Sequence, residues 1–421
     1  MPETSSLSLA ILGAGPVGLE AAALALELGF DVHVFERGEP GAHVVAWGHV
    51  HMFTPWRMNI GPASARLLSR HGWSAPAAET CPTGAELAEC VLQPLAATPE
   101  LKARLHAHTQ IVHVSRHGAR KNERAGGTPR GERAFRMLVR DAGGRENFLH
   151  AHAVIDATGT YGQPLWAGTG GIPARNESYL TPQLSYHPDD VLGLRRARYA
   201  GKTTLVIGGG ASAVTTVVAL AQLASEAPGT RVSWITRRTT PGFAGEPTDE
   251  QTGERSTATL PARAALHAEG RRLQGNTHDA VRWAGGCEVE GFEYNSATHR
   301  YRVQLATPAG ARIEEADQVI VNCGYGPDRT MTQELRVHEC YESLAPMKLA
   351  AALAEAGTTD CTQVPAFGAD LLANPEPGFY IVGAKSYGRS SSFLLQSGYQ
   401  QAADVLDRLA ERAGLRTPQE A

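Results

Sequence analysis

Residues 7–36 read LSLAILGAGPVGLEAAALALELGFDVHVFE, and this stretch decides the fold. The apolar run Leu7–Leu12 predicts a buried strand that ends where the glycines begin. Leu19–Leu28 is rich in Ala and Leu and predicts a helix, which Gly29 terminates. Asp31–Glu36 predicts a second strand. The stretch therefore predicts a complete strand–turn–helix–strand unit.

The turn of this unit carries the spacing Gly13-x-Gly15-x-x-Gly18. The first glycine allows a tight turn, the second lets a pyrophosphate approach the backbone, and the third lets helix and strand pack closely. The helix N-terminus adds backbone amides and the positive end of its dipole. Glu36 follows 23 residues after Gly13, where an acid binds ribose hydroxyls. The pattern predicts a dinucleotide site; the alternative is a glycine-rich turn without a ligand.

A second unit of the same kind begins near residue 202. Residues 203–207 predict a strand, 214–224 a helix and 231–236 the next strand. The turn between strand and helix reads Gly208-x-Gly210-x-x-Ala213, in which Ala at the third place still permits fairly close packing.

The second strand of this later unit ends in Arg237 and Arg238 and carries no acid. A guanidinium at this place pairs bidentately with the 2′-phosphate of NADP, whereas an acid favours NAD. The strand end therefore predicts a preference for NADPH. The alternative is that two exposed arginines only solvate the end of a strand.

Composition and charge exclude several other classes of protein. The chain has 421 residues, enough for two or more domains, and a formal net charge of −4 with mixed signs. We interpret the basic cluster 116–133 as a solvated hairpin loop, so no nucleic-acid partner is expected. Six scattered cysteines without a C-x-x-C pair predict no disulfide framework, no metal site and a cytoplasmic setting. The first apolar run is too short for a signal peptide or a membrane span.

The rest of the chain mixes strands with polar segments. Residues 109–155 predict a strand-rich region, and residues 238–280, rich in polar residues, Gly and Pro, predict a long excursion. Further strands are predicted at 287–294, 300–306, 318–322 and 379–382, and a final helix at 391–413.

With two such units the sequence resembles the two-dinucleotide-binding-domain flavoproteins, the group of thioredoxin reductases and flavin-containing monooxygenases. Asp156-Ala157-Thr158-Gly159 matches the Ala-Thr-Gly turn where such chains leave the FAD domain, and residues 322–328 (NCGYGPD) resemble the turn where they return. The resemblance implies an α/β fold in which a Rossmann-like FAD-binding domain carries an inserted second Rossmann-like NAD(P)-binding domain. It implies FAD-binding segments at 1–165 and 319–421, an NADP-binding domain at 166–318, and FAD and NADPH as cofactors.

The family usually has Gly-Asp near its end, where the Asp touches the ribityl chain of FAD. Here Gly383 is followed by Ala384 and Lys385, so the contact would come from the backbone or from Ser386. The cofactor-binding residues that motifs and resemblance together imply are Gly13, Gly15, Gly18, Glu36, Arg37, Trp56, Thr158, Gly159, Gly208, Gly210, Ser212, Arg237, Arg238, Gly383, Lys385 and Ser386.

Three features are similar to the monooxygenase branch of the family. Residues 56–59 (WRMN) are placed like the segment that puts an active-site Asn near the flavin, which makes Asn59 the candidate catalytic residue. Tyr186-His187 resembles a His-containing signature before the second glycine turn, and Ser212-Ala213 resembles a pair common in these enzymes. The alternatives are that Asn59 caps a loop and that His187 stabilises the linker.

This resemblance implies an NADPH-dependent flavoprotein monooxygenase that forms a C4a-peroxyflavin and oxygenates a small organic substrate at a nitrogen, a sulfur or a ketone. Its partners would be that substrate and O₂, with no membrane, and a homo-oligomer is compatible with it. Two alternatives stay open. One is an NADPH-dependent flavin reductase or oxidase acting on a non-disulfide acceptor, and the other is a redox sensor that binds both nucleotides without turnover.

Overall fold

A computed structural model describes residues 7–123, 129–239, 260–356 and 368–415. Its strands are, in chain order, β1 (Ser8–Leu12), β2 (Asp31–Phe35), β3 (Leu105–His106), β4 (Gln110–Arg116), β5 (Phe135–Arg140), β6 (Glu146–Ala151), β7 (Ala153–Asp156), β8 (Thr203–Ile207), β9 (Arg231–Ile235), β10 (Val281–Ala284), β11 (Glu288–Asn295), β12 (Arg300–Thr307), β13 (Gly310–Ala316), β14 (Gln318–Val321) and β15 (Phe379–Ile381).

Its α-helices are α1 (Pro16–Glu27), α2 (Ala42–Ala46), α3 (Trp56–Asn59), α4 (Pro62–Arg70), α5 (Gly84–Leu87), α6 (Gln93–Ala97), α7 (Pro99–Lys102), α8 (Glu177–Leu180), α9 (Arg196–Tyr199), α10 (Ala211–Glu226), α11 (Pro261–Gln274), α12 (Met347–Ala356), α13 (Ala369–Leu372) and α14 (Leu395–Ala413). A π-helical turn, Ala88–Leu92, joins α5 to α6, and a 3₁₀ turn, Gly383–Tyr387, follows β15. Among the residues so described, no helix has both the length and the apolarity that crossing a bilayer requires.

The chain forms two compact units. The first comprises the residues up to Gly162 together with those from Gly326 onward, and the second spans Gln163–Tyr325. The first unit contains a five-stranded parallel sheet in the order β15-β7-β1-β2-β3 and an antiparallel sheet β4-β5-β6. The second contains a four-stranded parallel sheet in the order β10-β9-β8-β14 and an antiparallel sheet β11-β12-β13.

Within each unit the parallel sheet is covered by helices on one face and by the antiparallel sheet on the other. In the first unit, Leu9 and Ile11 of β1 pack with α1 and α14, whereas Leu12 packs with β5. In the second unit, Val206 of β8 packs with α10, whereas Ile207 packs with β11 and β12. Alternate residues of one strand thus serve two cores, which is why these strands are continuous apolar runs.

For the described residues, one sequence interpretation is extended by the structure and another is wrong. The polar region 238–280 contains helix α11, whose Leu273 is fully buried against the second unit's sheet; residues 240–259 lie outside the described part. The cluster 116–133 is not simply a solvated loop, because Arg116 and Arg130 are buried and both pair with Glu376. Pairing with a buried carboxylate explains how two guanidinium groups are tolerated there.

Strand β13 was not predicted. It is mostly exposed, and its residues 312–315 (RIEE) carry three charges, so it lacks the apolar pattern of a buried strand. It pairs with β12 over its whole length, and this pairing fixes its extended conformation.

Candidate functional site

The first glycine turn joins β1 to α1, and two of its glycines are required by packing. Gly13 has φ +96°, and a β-carbon there would lie 2.9 Å from the carbonyl oxygen of Ala157. A β-carbon on Gly18 would lie 2.0 Å from the carbonyl oxygen of Gly13, because the helix crosses its own entry turn at this place. Both positions therefore exclude any side chain.

Gly15 differs from its two neighbours in the turn. A β-carbon built on Gly15 would have no atom within 4 Å, so the protein's own packing does not require a glycine here. Gly15 caps the N-terminus of α1, where the first backbone amides of the helix lack partners within it. The open space at this glycine therefore fits a phosphate group that approaches the backbone.

Glu36 lies directly after β2 and holds the turn from the other side. Its carboxylate accepts hydrogen bonds from the backbone amides of Ala14 at 2.9 Å and Gly38 at 2.8 Å. The carboxylate is thus held beside the second residue of the glycine turn, as an acid that meets a ribose requires.

Arg37 follows Glu36 and is exposed, with Nη2 3.3 Å from Nε2 of His43. Burial and the positive charge of Arg37 lower the pKa of His43, so its imidazole is neutral at pH 7. The ring of His43 lies 5.2 Å from that of Tyr161. Beside Glu36 the first unit thus presents a cation and two aromatic rings.

The second glycine turn joins β8 to α10 and repeats this geometry. Gly208 has φ +139°, and a β-carbon there would lie 2.2 Å from the carbonyl oxygen of Asn322. Gly210 caps the N-terminus of α10, and a β-carbon on it would meet nothing within 4 Å. Ala213 is fully buried at the third position, and Ser212 is partly exposed in the first turn of the helix.

The end of β9 carries Thr236 where the end of β2 carries Glu36. The carbonyl oxygen of Arg238 accepts hydrogen bonds from the Thr236 hydroxyl at 3.1 Å and from the Gly286 amide at 2.9 Å. The indole nitrogen of Trp283 donates to the Thr236 hydroxyl at 3.2 Å. The backbone that bears Arg237 and Arg238 is therefore tied to its own sheet, while both side chains are exposed.

A buried ion pair lies at the carboxyl edge of the first unit's sheet. The ammonium of Lys385 donates to Oδ2 of Asp156 at 2.7 Å and lies 3.2 Å from the hydroxyl of Thr158. Oδ1 of the same carboxylate accepts from the amide and hydroxyl of Thr158. Gly159 completes the turn with φ +68°. Sequence reasoning named Thr158, Gly159 and Lys385 but missed that Asp156 joins them.

In the turn after β15, Gly383 and Ser386 form hydrogen bonds with α14, whereas Lys385 pairs with Asp156. The amide of Gly383 donates to Oε1 of Gln401 at 2.9 Å. The hydroxyl of Ser386 donates to the carbonyl oxygen of Gly383 at 2.8 Å and lies 3.0 Å from Nε2 of Gln401. Ser386 is fully buried, and its hydroxyl closes the turn on α14.

Asn59 ends helix α3 and is 1% exposed. Its Oδ1 accepts from the hydroxyl of Thr54 at 2.6 Å, and its Nδ2 donates to the carbonyl oxygen of Thr54 at 2.7 Å. The orientation of the carboxamide is thereby fixed, and these bonds use one of the two Nδ2 hydrogens. Trp56, also assigned to the cofactor, is buried in the core that covers the first unit's sheet.

Two described cysteines and His187 bear on the choice between thiol and oxygen chemistry. Burial raises the pKa of Cys323 to about 12, so this thiol stays protonated. Hydrogen bonds from Ser343 lower the pKa of the Cys340 thiol. Cys361 lies outside the described residues.

His187 stacks on Tyr325 within the second unit, and its Nδ1 lies 3.0 Å from the tyrosine hydroxyl.

No protein-family model matches the chain, and no curated protein matches its sequence. Solved structures match it over nearly the whole length. Bacillithiol disulfide reductase from Bacillus cereus is 16% identical with a TM-score of 0.67, covering 97% of this chain and 100% of that one. The FAD-bound cadaverine monooxygenase of desferrioxamine biosynthesis from Erwinia amylovora is 14% identical with a TM-score of 0.64, covering 99% and 97%.

A third solved structure, the ornithine N-hydroxylase of Kutzneria sp. 744 with reduced FAD, NADP⁺ and L-ornithine, is 16% identical with a TM-score of 0.61, covering 97% of this chain and 99% of that one. The chain has the fold of the two-dinucleotide-binding-domain flavoproteins. The predicted α/β architecture of paired Rossmann-like units is thus confirmed. Sequence identities this low show that the fold is shared but do not identify the reaction, which depends on the residues of the site.

Proposed function

We propose that this protein is an NADPH-dependent FAD monooxygenase that oxygenates a small organic substrate at a nitrogen, a sulfur or a ketone. One observation carries the proposal. The chain repeats a strand–glycine turn–helix unit in which the second glycine has open space beside it, and the following strand ends in an acid in one repeat and in arginines in the other. The unit that contains Gly15 also contains the acid Glu36, whereas the unit that contains Gly210 also contains Arg237 and Arg238. Two different dinucleotides are the ligands that such a pair of sites fits.

In the first unit the proposed ligand is FAD. Its pyrophosphate would lie over Gly15 at the N-terminus of α1, and its ribose would meet the carboxylate of Glu36. Arg37 would lie near the same end of the cofactor, because it follows Glu36 and is exposed. Thr158, Gly159 and the turn 383–386 would border the rest of the molecule, since they lie at the carboxyl edge of the same sheet.

In the second unit the proposed ligand is NADPH. Gly210 and Ser212 would take the pyrophosphate, and Arg237 with Arg238 would take the 2′-phosphate through charge-assisted hydrogen bonds. Thr236 occupies the place that Glu36 has in the first unit, and it carries no carboxylate that would repel that phosphate. When bound, NADPH supplies hydride to FAD, and reduced FAD reacts with O₂.

The oxygenase assignment is preferred over thiol–disulfide chemistry for two reasons. The sequence contains no C-x-x-C pair, and the thiol of Cys323, beside the second glycine turn, has its pKa raised to about 12. The proposed residue roles are then to bind, to orient and to exclude water. Asn59 is the proposed donor near the flavin, with its carboxamide oriented by Thr54.

The test measures FAD content, O₂ uptake and H₂O₂ on one preparation of the full chain. Candidate substrates are cadaverine and ornithine, which are named for two proteins of the same fold, and thioethers and ketones are tested beside them. We expect one FAD per chain, NADPH oxidation faster than NADH oxidation, and substrate-stimulated O₂ uptake with label from ¹⁸O₂ in the product. Stoichiometric H₂O₂ with every substrate would support an oxidase, and a protein that oxidises no NADPH would support a sensor.

A thiol reductase is the second candidate, and Cys340 is the observation in its favour. Hydrogen bonds from the hydroxyl and amide of Ser343 lower the pKa of its thiol, which raises the thiolate fraction at neutral pH. If a low-molecular-weight disulfide drives anaerobic NADPH oxidation, and Cys340→Ser loses this activity, the result would support a thiol reductase and refute the oxygenase proposal.

A further inference from the structure

The ion pair between Lys385 and Asp156 is unusual in its burial. The side chain of Lys385 is 2% exposed and that of Asp156 is 0% exposed. Removing both charges from water is expensive, and a buried pair contributes little net stability compared with a well-packed apolar pair. Stability alone therefore gives a weak reason for this pair to be here.

Its place in the first unit suggests another reason. Asp156 ends β7 opposite Ile381 of β15, and Lys385 lies four residues beyond Ile381, so both charges sit at the carboxyl edge of the sheet. The turn that carries Lys385 touches the start of α1: a β-carbon on Gly383 would lie 3.4 Å from Val17. A ligand whose pyrophosphate lies at Gly15 and which extends along this edge meets the pair next.

The charge of Lys385 also reaches other groups at this edge. It acts on the carboxylates of Asp328 and Glu339, and Glu339 itself pairs with Arg329 at 3.0 Å. Thr158 joins the cluster through its hydroxyl, which donates to Asp156 and lies 3.2 Å from the ammonium. Lys385 is thus held in one orientation by Asp156 and Thr158.

We propose that the buried pair of Lys385 and Asp156 lies close behind the flavin site and that its two charges shift the flavin's reduction potential in opposite directions. This rests on the proposed function, because FAD must bind in the first unit. Two-electron reduction by hydride converts NADPH to NADP⁺ and adds one negative charge to the flavin. A nearby ammonium stabilises that charge and a nearby carboxylate opposes it, with little screening in a buried site.

The proposal therefore predicts the direction in which each substitution shifts the flavin's midpoint potential, whereas a purely structural role of the pair predicts no such direction. Lys385→Met leaves the carboxylate without its cation, so the midpoint potential of the bound flavin falls. Asp156→Asn leaves the ammonium without its anion, so the potential rises. The double variant carries neither charge, and its potential returns toward that of the unmodified protein. Lys385→Arg keeps the charge and shifts the potential least.

A second buried pair, near the other end of β15, provides the matched control. Glu376 lies before β15, at its amino end, and pairs with Arg116 in full burial. Glu376→Gln perturbs a buried charge of this unit at the opposite edge of the sheet. We expect it to lower the melting temperature while leaving the flavin potential unchanged.

The experiment is spectroelectrochemical titration of the FAD-loaded full chain for these five variants, with melting temperatures of the FAD-free protein measured beside it. Opposite shifts for Lys385→Met and Asp156→Asn support the inference. Shifts of the same sign, or none beyond those of Glu376→Gln, overturn it. Should Lys385→Met fail to fold, Asp156→Asn and the double variant still decide the sign. A chain that binds no FAD refutes the proposed function instead.

Discussion

The two glycine turns are built alike but differ in what surrounds them. In each, the first glycine meets the backbone after the neighbouring strand, at Ala157 in one unit and at Asn322 in the other. In each, the second glycine faces open space. At the third position, however, Gly18 admits no β-carbon whereas Ala213 already has one. The shared positions follow from the strand–helix crossing, and the positions that differ are free to adapt to a ligand or to local packing.

The neighbouring strand ends differ more than the turns do. The carboxylate of Glu36 accepts a hydrogen bond from the backbone amide of Ala14. The hydroxyl of Thr236 instead accepts one from the indole of Trp283 and donates one to the carbonyl oxygen of Arg238. β7 ends in the charged Asp156, whereas β14, the corresponding strand of the second sheet, ends in the apolar Val321. The same framework thus presents an acid and a buried ion pair in one unit and a basic, aromatic strand end in the other.

The largest effect expected from this comparison concerns the third position. Gly18→Ala places a methyl group 2.0 Å from a backbone oxygen, which no side-chain rotation relieves. We expect the free energy of unfolding to fall by about 3 kcal/mol or more, despite the better helix propensity of Ala. Ala213→Gly, the reciprocal change, should cost only about 1 kcal/mol. Chemical denaturation of the FAD-free protein measures both, and equal losses would show that the two turns are not differently packed.

The second position separates the two cofactors. Gly15→Val fills space that the protein leaves open, so we expect the FAD-free protein to keep its melting temperature while FAD no longer copurifies. Gly210→Val should instead leave FAD bound and abolish saturation by NADPH. Absorbance of the purified variants and NADPH titration give both results. Full yellow colour in Gly15→Val would remove the basis of the first assignment.

The strand ends are the proposed determinants of the choice of nucleotide. Replacing Arg237 and Arg238 by Gln removes charge-assisted contacts of about 1.5–3 kcal/mol, so KM for NADPH should rise roughly tenfold to a hundredfold more than KM for NADH. Arg263→Gln on α11 is a control that neutralises another arginine of the second unit. If KM for both nucleotides changes equally, the two arginines do not read the 2′-phosphate.

Much of this comparison could be predicted from the sequence because its determinants are local. The glycine spacing, the apolar strands and the residue after each second strand lie within about 36 residues of one another in each unit. The role proposed for Glu36 rests on its distance along the chain from Gly13, and the lack of an acid directly after β9 is equally visible in the sequence. Periodicity and spacing are reliable over such short ranges.

The rest depends on contacts between distant residues, which spacing does not reveal. Lys385 and Asp156 are 229 positions apart, and their pairing appears only when β15 lies beside β7. Arg116 reads as part of a solvated basic cluster, yet it is buried against Glu376, 260 positions away. Ser386 was a candidate for the flavin, but its hydroxyl is engaged with Gln401. A charged or polar residue shows its partner only in the folded chain.

Asn59 lies in the helical segment between β2 and β3, and α11, the described helix between β9 and β10 of the second unit, carries no Asn. Loss of Asn59 removes two hydrogen bonds to Thr54, so Asn59→Ala should destabilise the protein by about 1–3 kcal/mol. If the carboxamide also serves the flavin, reduction by NADPH should stay nearly intact, while a larger share of NADPH ends as H₂O₂ and a smaller share as oxygenated product.

Thr54→Val separates these two roles of Asn59. It deletes the hydroxyl that donates to Oδ1 but keeps the carboxamide and the carbonyl of residue 54 that holds Nδ2. A purely structural Asn59 predicts that both variants change melting temperature and that neither changes the yield of H₂O₂. A donor near the flavin predicts instead that Asn59→Ala uncouples far more than Thr54→Val at comparable stability. Measuring reduction rate, H₂O₂ yield and melting temperature on one preparation of each variant decides between them, because Thr54→Val leaves the proposed donor, the carboxamide of Asn59, in place.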